Sequence, residues 1–284
     1  MKLILSRKGF DSSAGGCPNP VFPDGSCLAL PIPDDQSPIR YSQVRRHGES
    51  IGSLVSQLTG QQAFSRRGAH LDPDVIESAY PRLLGWRPVL GQHSSAQAHL
   101  ANHDIGPGDL FLFFALFRPV ERYRRRWRFV PGSRPFHAVW GWLQVADVWP
   151  LGDASSVPDW ARYHPHLHGE RSAQNSLYVS GDRLQIPGLR GDLPAAGAVG
   201  ALSDQHRLTA PGAAKVTDWR LPAGFMPQPG KSPLSYHHNP ERWRLEDSGE
   251  YCRLKCAARG QEFVLDLEQY PGVSEWLLTP GLLS

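Results

Sequence analysis

The run DLFLFFALFRPV, from Asp109 to Val120, constrains the fold more than any other stretch. It is continuously apolar and aromatic but too short to span a bilayer, so it reads as a strand covered by protein on both faces. FHAVWGWLQVADVWPL, from Phe136 to Leu151, alternates after His137 and reads as its neighbour. Gly141 in the middle of that second run marks a bend or bulge. Two long strands buried on both sides need layers above and below them, which a chain of 284 residues can supply.

Gly 28 and Pro 26 break the rest into short elements joined by long loops. The expected class is therefore α+β, with a mixed, mainly antiparallel sheet or barrel core and a few short helices. One domain over residues 1–284 is expected, with no internal repeat. MKLIL predicts a buried first strand, and CLALPIPD (Cys27 to Asp34) a short strand cut off by proline. Ile51, Leu54, Val55 and Leu58 have helical spacing and Gly60 as a stop. A second helix is predicted from about Ser94 to His103. NSLYVSGDRLQIPG (Asn175 to Gly188) and GQEFVLDL (Gly260 to Leu267) read as strands, and Val273 to Leu278 as a closing turn of helix.

Chemistry is expected first in the loop after strand one, SRKGFDSSAGG (Ser6 to Gly16). Ser6, Ser12, Lys8 and Asp11 offer hydroxyls, a cation and a base within a few residues, while Gly15 and Gly16 let backbone approach a ligand. A solvated turn is the plainer alternative. His70, Asp72 and Asp74 flank Pro73 and form either a metal or acid/base cluster or the N-cap of a short helix. Gln92, Gln97 and His99 lie on the next candidate site segment. His164, His166 and His168 alternate, a spacing that a metal can use, although Pro165 and Gly169 argue against a regular strand there. No metal and no cofactor is assigned. Cys17, Cys27, Cys252 and Cys256 are too few and too separated for a disulfide framework and are taken as reduced thiols.

The net charge of +3 does not by itself imply a nucleic-acid partner. The distribution is uneven: seven arginines against one glutamate lie between Arg118 and Arg134. Arg124, Arg125, Arg126 and Arg128 are interleaved with Tyr123, Trp127 and Phe129, the composition of an arm that pairs phosphates and stacks on bases, or of an exposed hairpin kept soluble by charge. MKLIL passes at once into Ser6-Arg7-Lys8, which does not read as a signal peptide, so a cytoplasmic protein with no membrane partner is expected.

The motifs SRKGFDSSAGG, AHLDPD, GPGDLFLFF, HAVWGWLQV and N.LYVS together resemble the nucleotide modification associated domain, type three, over nearly the whole chain. The resemblance implies a place among gene clusters that hypermodify DNA bases, including those that install 7-deazaguanine derivatives. The expected partners are then DNA carrying a modified base and other proteins of such a cluster. The strand pair of residues 105–151 also resembles that of PUA-like barrels, which accept a flipped base, an analogy of fold only. The expected function that follows is a DNA base-modification enzyme that hydrates the nitrile of 7-cyano-7-deazaguanine in DNA to the carboxamide. In it Lys8, Asp11, Ser6 and Ser12 act on the base. Gly15, Gly16, His70, Asp72, Gln92, His137, Trp140 and Asn175 surround it. Alternatives are a non-catalytic reader of modified bases and a transferase that decorates a base. Cys17 stands as a further candidate nucleophile beside the plainer reading of a half-buried thiol.

Overall fold

The computed structural model describes residues 1–152, 156–169, 174–258 and 262–283. Its centre is a mixed sheet of nine strands: β1 (Lys2–Arg7), β2 (Asn19–Val21), β3 (Val89–His93), β4 (Leu110–Tyr123), β5 (Arg126–Phe129), β6 (Phe136–Pro150), β7 (Asn175–Ser180), β8 (Ala196–Ala198) and β9 (Glu262–Asp266). The main path runs β9-β1-β4-β6-β7-β3, with β2 and β5 added to β4 and β8 added to β6. β1 and β2 run parallel to β4, while the other pairs are antiparallel. Among the described residues β9 and β3 do not pair, so the sheet stays open and no barrel closes. Among the described residues the α-helices are α1 (Gly52–Thr59), α2 (Ser94–Asn102) and α3 (Pro271–Leu277).

The aromatic run does what its composition requires. Leu110, Leu112 and Phe114 pack into one core with Trp219, Phe263 and Tyr270. Phe111, Phe113 and Phe117 enter a second core, on the other face, with Ile4, Trp140 and Tyr178. Each core removes large apolar side chains from water, at about 1.5–3 kcal/mol for each one fully buried. The register of β6 on β4 slips between Val139 and Gly141. This bulge switches the alternation, so Trp140 faces the second core and Trp142 the first. A Cβ on Gly141 would lie 2.8 Å from the Gly197 carbonyl oxygen, which explains the glycine in a strand otherwise lined with large residues.

Two expectations are corrected. Cys27 to Asp34 yields a strand only at Ile32–Pro33, because Asn19 intervenes: its Oδ1 accepts from Leu30 N at 2.7 Å, a side chain standing where a ladder partner would be. Asp72 does not cap a helix. The next helical turn is Glu77–Ala79, begun by Ile76, and the Asp72 carboxylate is committed elsewhere. The helix over Ile51 to Leu58 forms and ends at Gly60 with φ 71, and the second helix spans Ser94–Asn102. Gly260 and Gln261 of the predicted last strand lie outside the described residues. Among the described residues no helix is long and apolar enough to cross a membrane, and the four cysteines are free.

Candidate functional site

β1 delivers Ser6 to the second-core face, two residues beyond buried Ile4, and Lys8 continues the strand by donating its N–H to the Phe114 carbonyl at 2.9 Å. β9 runs antiparallel beside it and sets Glu262 opposite Ser6. The Ser6 hydroxyl donates to Glu262 Oε1 at 3.0 Å, and the Gln92 side-chain amide, from β3, donates to the same oxygen. Glu262 Oε2 has no hydrogen-bond partner, and only 1% of the residue is exposed. Burial pushes the Glu262 carboxyl up to about 7, against the opposing pull of Lys8 and the Ser6 hydrogen bond. Lys8 Nζ lies 3.9 Å from Glu262 Oε1 and 3.7 Å from Asp72 Oδ2, one ammonium between two buried carboxyl groups.

Asp72 is the second pole. Its Oδ1 accepts from the Gly91 N–H at 2.6 Å, and His164 Nε2 lies 3.3 Å from the same oxygen. Oδ2 is faced by His166 Nε2 at 3.7 Å and His70 Nε2 at 3.9 Å. Burial opposes ionisation of Asp72, yet the positive charge beside it, that of Lys8 first, outweighs burial and holds the carboxyl far below the usual carboxylate range. Burial likewise drives His166 down to about 3, despite Asp72 beside it, so its ring is neutral. His166 Nδ1 bonds Asn175 Oδ1 at 2.8 Å while Asn175 Nδ2 donates to the His166 carbonyl, which fixes both side chains. His70 Nδ1 bonds Asp34 Oδ2 at 2.8 Å. A Cβ on Gly91 would meet the His166 ring at 2.3 Å, so the glycine is what allows the imidazole to lie on β3.

The structure therefore brings together Ser6, Lys8, His70, Asp72, Gln92 and Asn175 from distant segments. Asp11 is set apart. Its Oδ1 accepts from Ser13 N, Ser13 Oγ and Ala14 N at 2.7, 2.6 and 2.8 Å, closing the loop on itself. Gly15, at φ 87, lies under the Phe10 ring, which a Cβ would meet at 2.2 Å, whereas Gly16 faces open space. Ser12 is exposed at the rim. His137 points into the first core, accepting from Trp219 Nε1 at 3.0 Å, and burial lowers it to about 4. Trp140 is buried and donates to the Lys8 carbonyl at 3.1 Å, so it props the backbone of the site from behind. Gln97 accepts from Tyr178, His99 bonds Ser235, and exposed His168 bonds the Arg162 carbonyl. Asp74 is held by Arg82 and Tyr163. Burial raises the Cys17 thiol to about 11, which leaves it protonated at neutral pH.

Two clefts flank the charged cluster. One, of about 620 Å³, is polar and lined by Arg7, Ser12, Gln92, His93, Tyr236 and Glu262, among others. The other, of about 420 Å³, is lined by Gly9, Leu30, Asp72, Pro73, Trp140 and Val199, among others. The arginine-rich segment forms a hairpin of β4 and β5, with Arg124 and Arg125 at its tip at φ 47 and 66. Arg124, Arg125, Arg126 and Arg128 are exposed. Trp127 turns inward against Phe22, and Arg128 pairs with Glu121 at 2.8 Å while stacking on Tyr123.

Sequence reasoning missed Glu262, Asp34 and His93 as site residues. The signal for Glu262 was a charge at the head of an otherwise apolar strand, and for Gly91 a glycine inside a strand. No solved structure and no curated protein matches the chain. A family model does match, that of the nucleotide modification associated domain 3, over residues 2–266, and the chain belongs to that family.

Proposed function

We propose that the protein is a DNA base-modification enzyme acting on a 7-deazaguanine-type base, and that it hydrates the nitrile of 7-cyano-7-deazaguanine to the carboxamide. The observation that carries this reading is the pairing of Lys8 with Glu262, a carboxyl brought to about 7 in the wall of a polar cleft. Hydration adds one water across the C≡N bond. The oxygen bonds to carbon, one proton is lost from the water, one proton is gained by the nitrogen, and the imidic acid tautomerises to the amide. Glu262, ionised in part at neutral pH, takes the water proton, and Lys8 protonates the nitrogen. Asp72 keeps a charge beside Lys8 throughout, and Tyr236 with Gln92 orients the base, which leaves the stack to reach them. The arginine hairpin holds flanking phosphates.

A transferase with a cosubstrate phosphate in the first loop is less well supported, since the N–H groups of Ser13, Ala14 and Gly16 already bond within that loop. The test is mass spectrometry of nucleosides from nitrile-bearing DNA incubated with the protein. A gain of one water on the base supports hydration, and loss of that gain in Lys8→Met and Glu262→Gln assigns the residues. Unchanged nucleosides with retained binding would replace the enzyme by a reader.

A further inference from the structure

We infer that His70, His166 and Asp72 form a binding site for one divalent first-row transition ion, with zinc or ferrous iron the best match to two imidazoles and one carboxylate. The three ligand atoms come from separate segments and lie within 4.8 Å of one another. The ring orientations point the same way. Asn175 Oδ1 is an acceptor, so His166 carries its proton on Nδ1, and Asp34 likewise takes the Nδ1 proton of His70. Each ring then turns a bare Nε2 lone pair toward Asp72 Oδ2, at 3.7 and 3.9 Å. Lone pairs facing a carboxylate oxygen repel unless a cation stands between them.

The spacing fits that cation. A protonated imidazole would close on the carboxylate to about 2.8 Å. Donors around a tetrahedral ion with bonds near 2.0–2.1 Å sit about 3.3 Å apart, so the two histidine–carboxylate separations of 3.7 and 3.9 Å need a contraction of about half an ångström. Both imidazoles also have the outer partner that metal-bound histidines require, a carboxylate for His70 and an amide oxygen for His166. A second observation comes from a fourth residue. His164 is wholly buried, and its Nε2, beside Asp72 Oδ1, has no hydrogen-bond partner. Lys8 supplies one positive charge to Asp72 Oδ2 from 3.7 Å but is too far for a hydrogen bond, so it does not complete the shell. The inference stands apart from the nitrile reading, because an ion here serves any chemistry, or a structural role, at this cluster.

The experiment is calorimetric titration of the full chain, stripped with a chelator, with ZnCl₂, and visible absorption on adding CoCl₂. One equivalent of zinc and a cobalt spectrum with imidazole–carboxylate ligation are expected. His70→Ala and His166→Ala should abolish both, Asn175→Ala and Asp34→Ala should weaken zinc binding about 10- to 100-fold, and His168→Gln should leave it unchanged. Melting curves in chelator establish that the variants fold, and Asn175→Ala carries the test if a histidine variant does not. Failure of the stripped, folded wild type to take up either ion overturns the inference, as does uptake that survives both histidine changes. These readouts need no substrate, so a negative result here and a negative result on nitrile-bearing DNA are told apart.

Discussion

Gln92 donates its side-chain amide to Glu262 although the two lie at opposite ends of the main sheet and 170 residues apart. β3 and β9 share no ladder, yet the curl of the sheet brings their side chains into contact across the end of β1. The site is thus built where two strand edges converge.

Burial at that convergence makes Glu262 a pH sensor for stability. Its folded value of about 7 lies above the ordinary 4.5, so the native state binds more protons between those values and stability falls as pH rises through the window. The full effect is on the order of 3 kcal/mol. Glu262→Gln, which cannot ionise, should gain on the wild type between pH 5 and pH 8 in paired thermal melts. A difference that stays flat with pH contradicts the assignment.

Asp74 anchors the loop that carries Asp72. Its side chain is fully buried and is met by both terminal nitrogens of Arg82, itself 8% exposed. Arg82→Met strands the carboxylate and should cost about 3–5 kcal/mol in urea unfolding. A destabilisation below about 1 kcal/mol would mean that the loop relaxes to water.

Gly91→Ala forces a Cβ into the His166 ring. The variant should be less stable by about 1–3 kcal/mol and should also lose the activity or ligand binding of the cluster. Retained function in this variant would show that His166 is free to move off β3.

The hairpin offers a test of the nucleic-acid reading. Arg125→Ala with Arg126→Ala should weaken DNA binding and reduce the slope of log affinity against log salt by about 0.9 for each phosphate that is no longer neutralised. Catalysis on bound DNA should be unaffected, and a binding curve indifferent to salt and to both changes removes the arm from the account.

Asp11 and Lys8 look alike in the sequence, two charged residues in one glycine-rich loop, and separate only in the fold. Asp11 spends its carboxylate on local N–H groups, whereas Lys8 continues a strand into the cluster. Asp11→Ala should therefore lower stability by about 1–2 kcal/mol, as removal of a helix cap does, and leave turnover within a few-fold of wild type. A drop in turnover as deep as that of Lys8→Met would return Asp11 to the chemistry.

What the chain determined by itself is the part written in periodicity and turn chemistry. The aromatic run from Asp109, the helical spacing ending at Gly60 and the bulge at Gly141 are local patterns, and each forms where its pattern lies. Ser6, Lys8, His70, Asp72, Gln92 and Asn175 stood out as polar groups in short motifs. Their grouping did not, because sheet order and curl, set by burial of two cores at once, have no short-range signature. Only the tertiary structure could choose His166 over His168, turn Asp72 from a cap into the centre of a cluster, and bring Glu262 to the lysine. The reason is the same for all three: a side chain's chemistry is decided by which distant groups desolvate and face it, and the packing of β9, β1 and β3 supplies those groups.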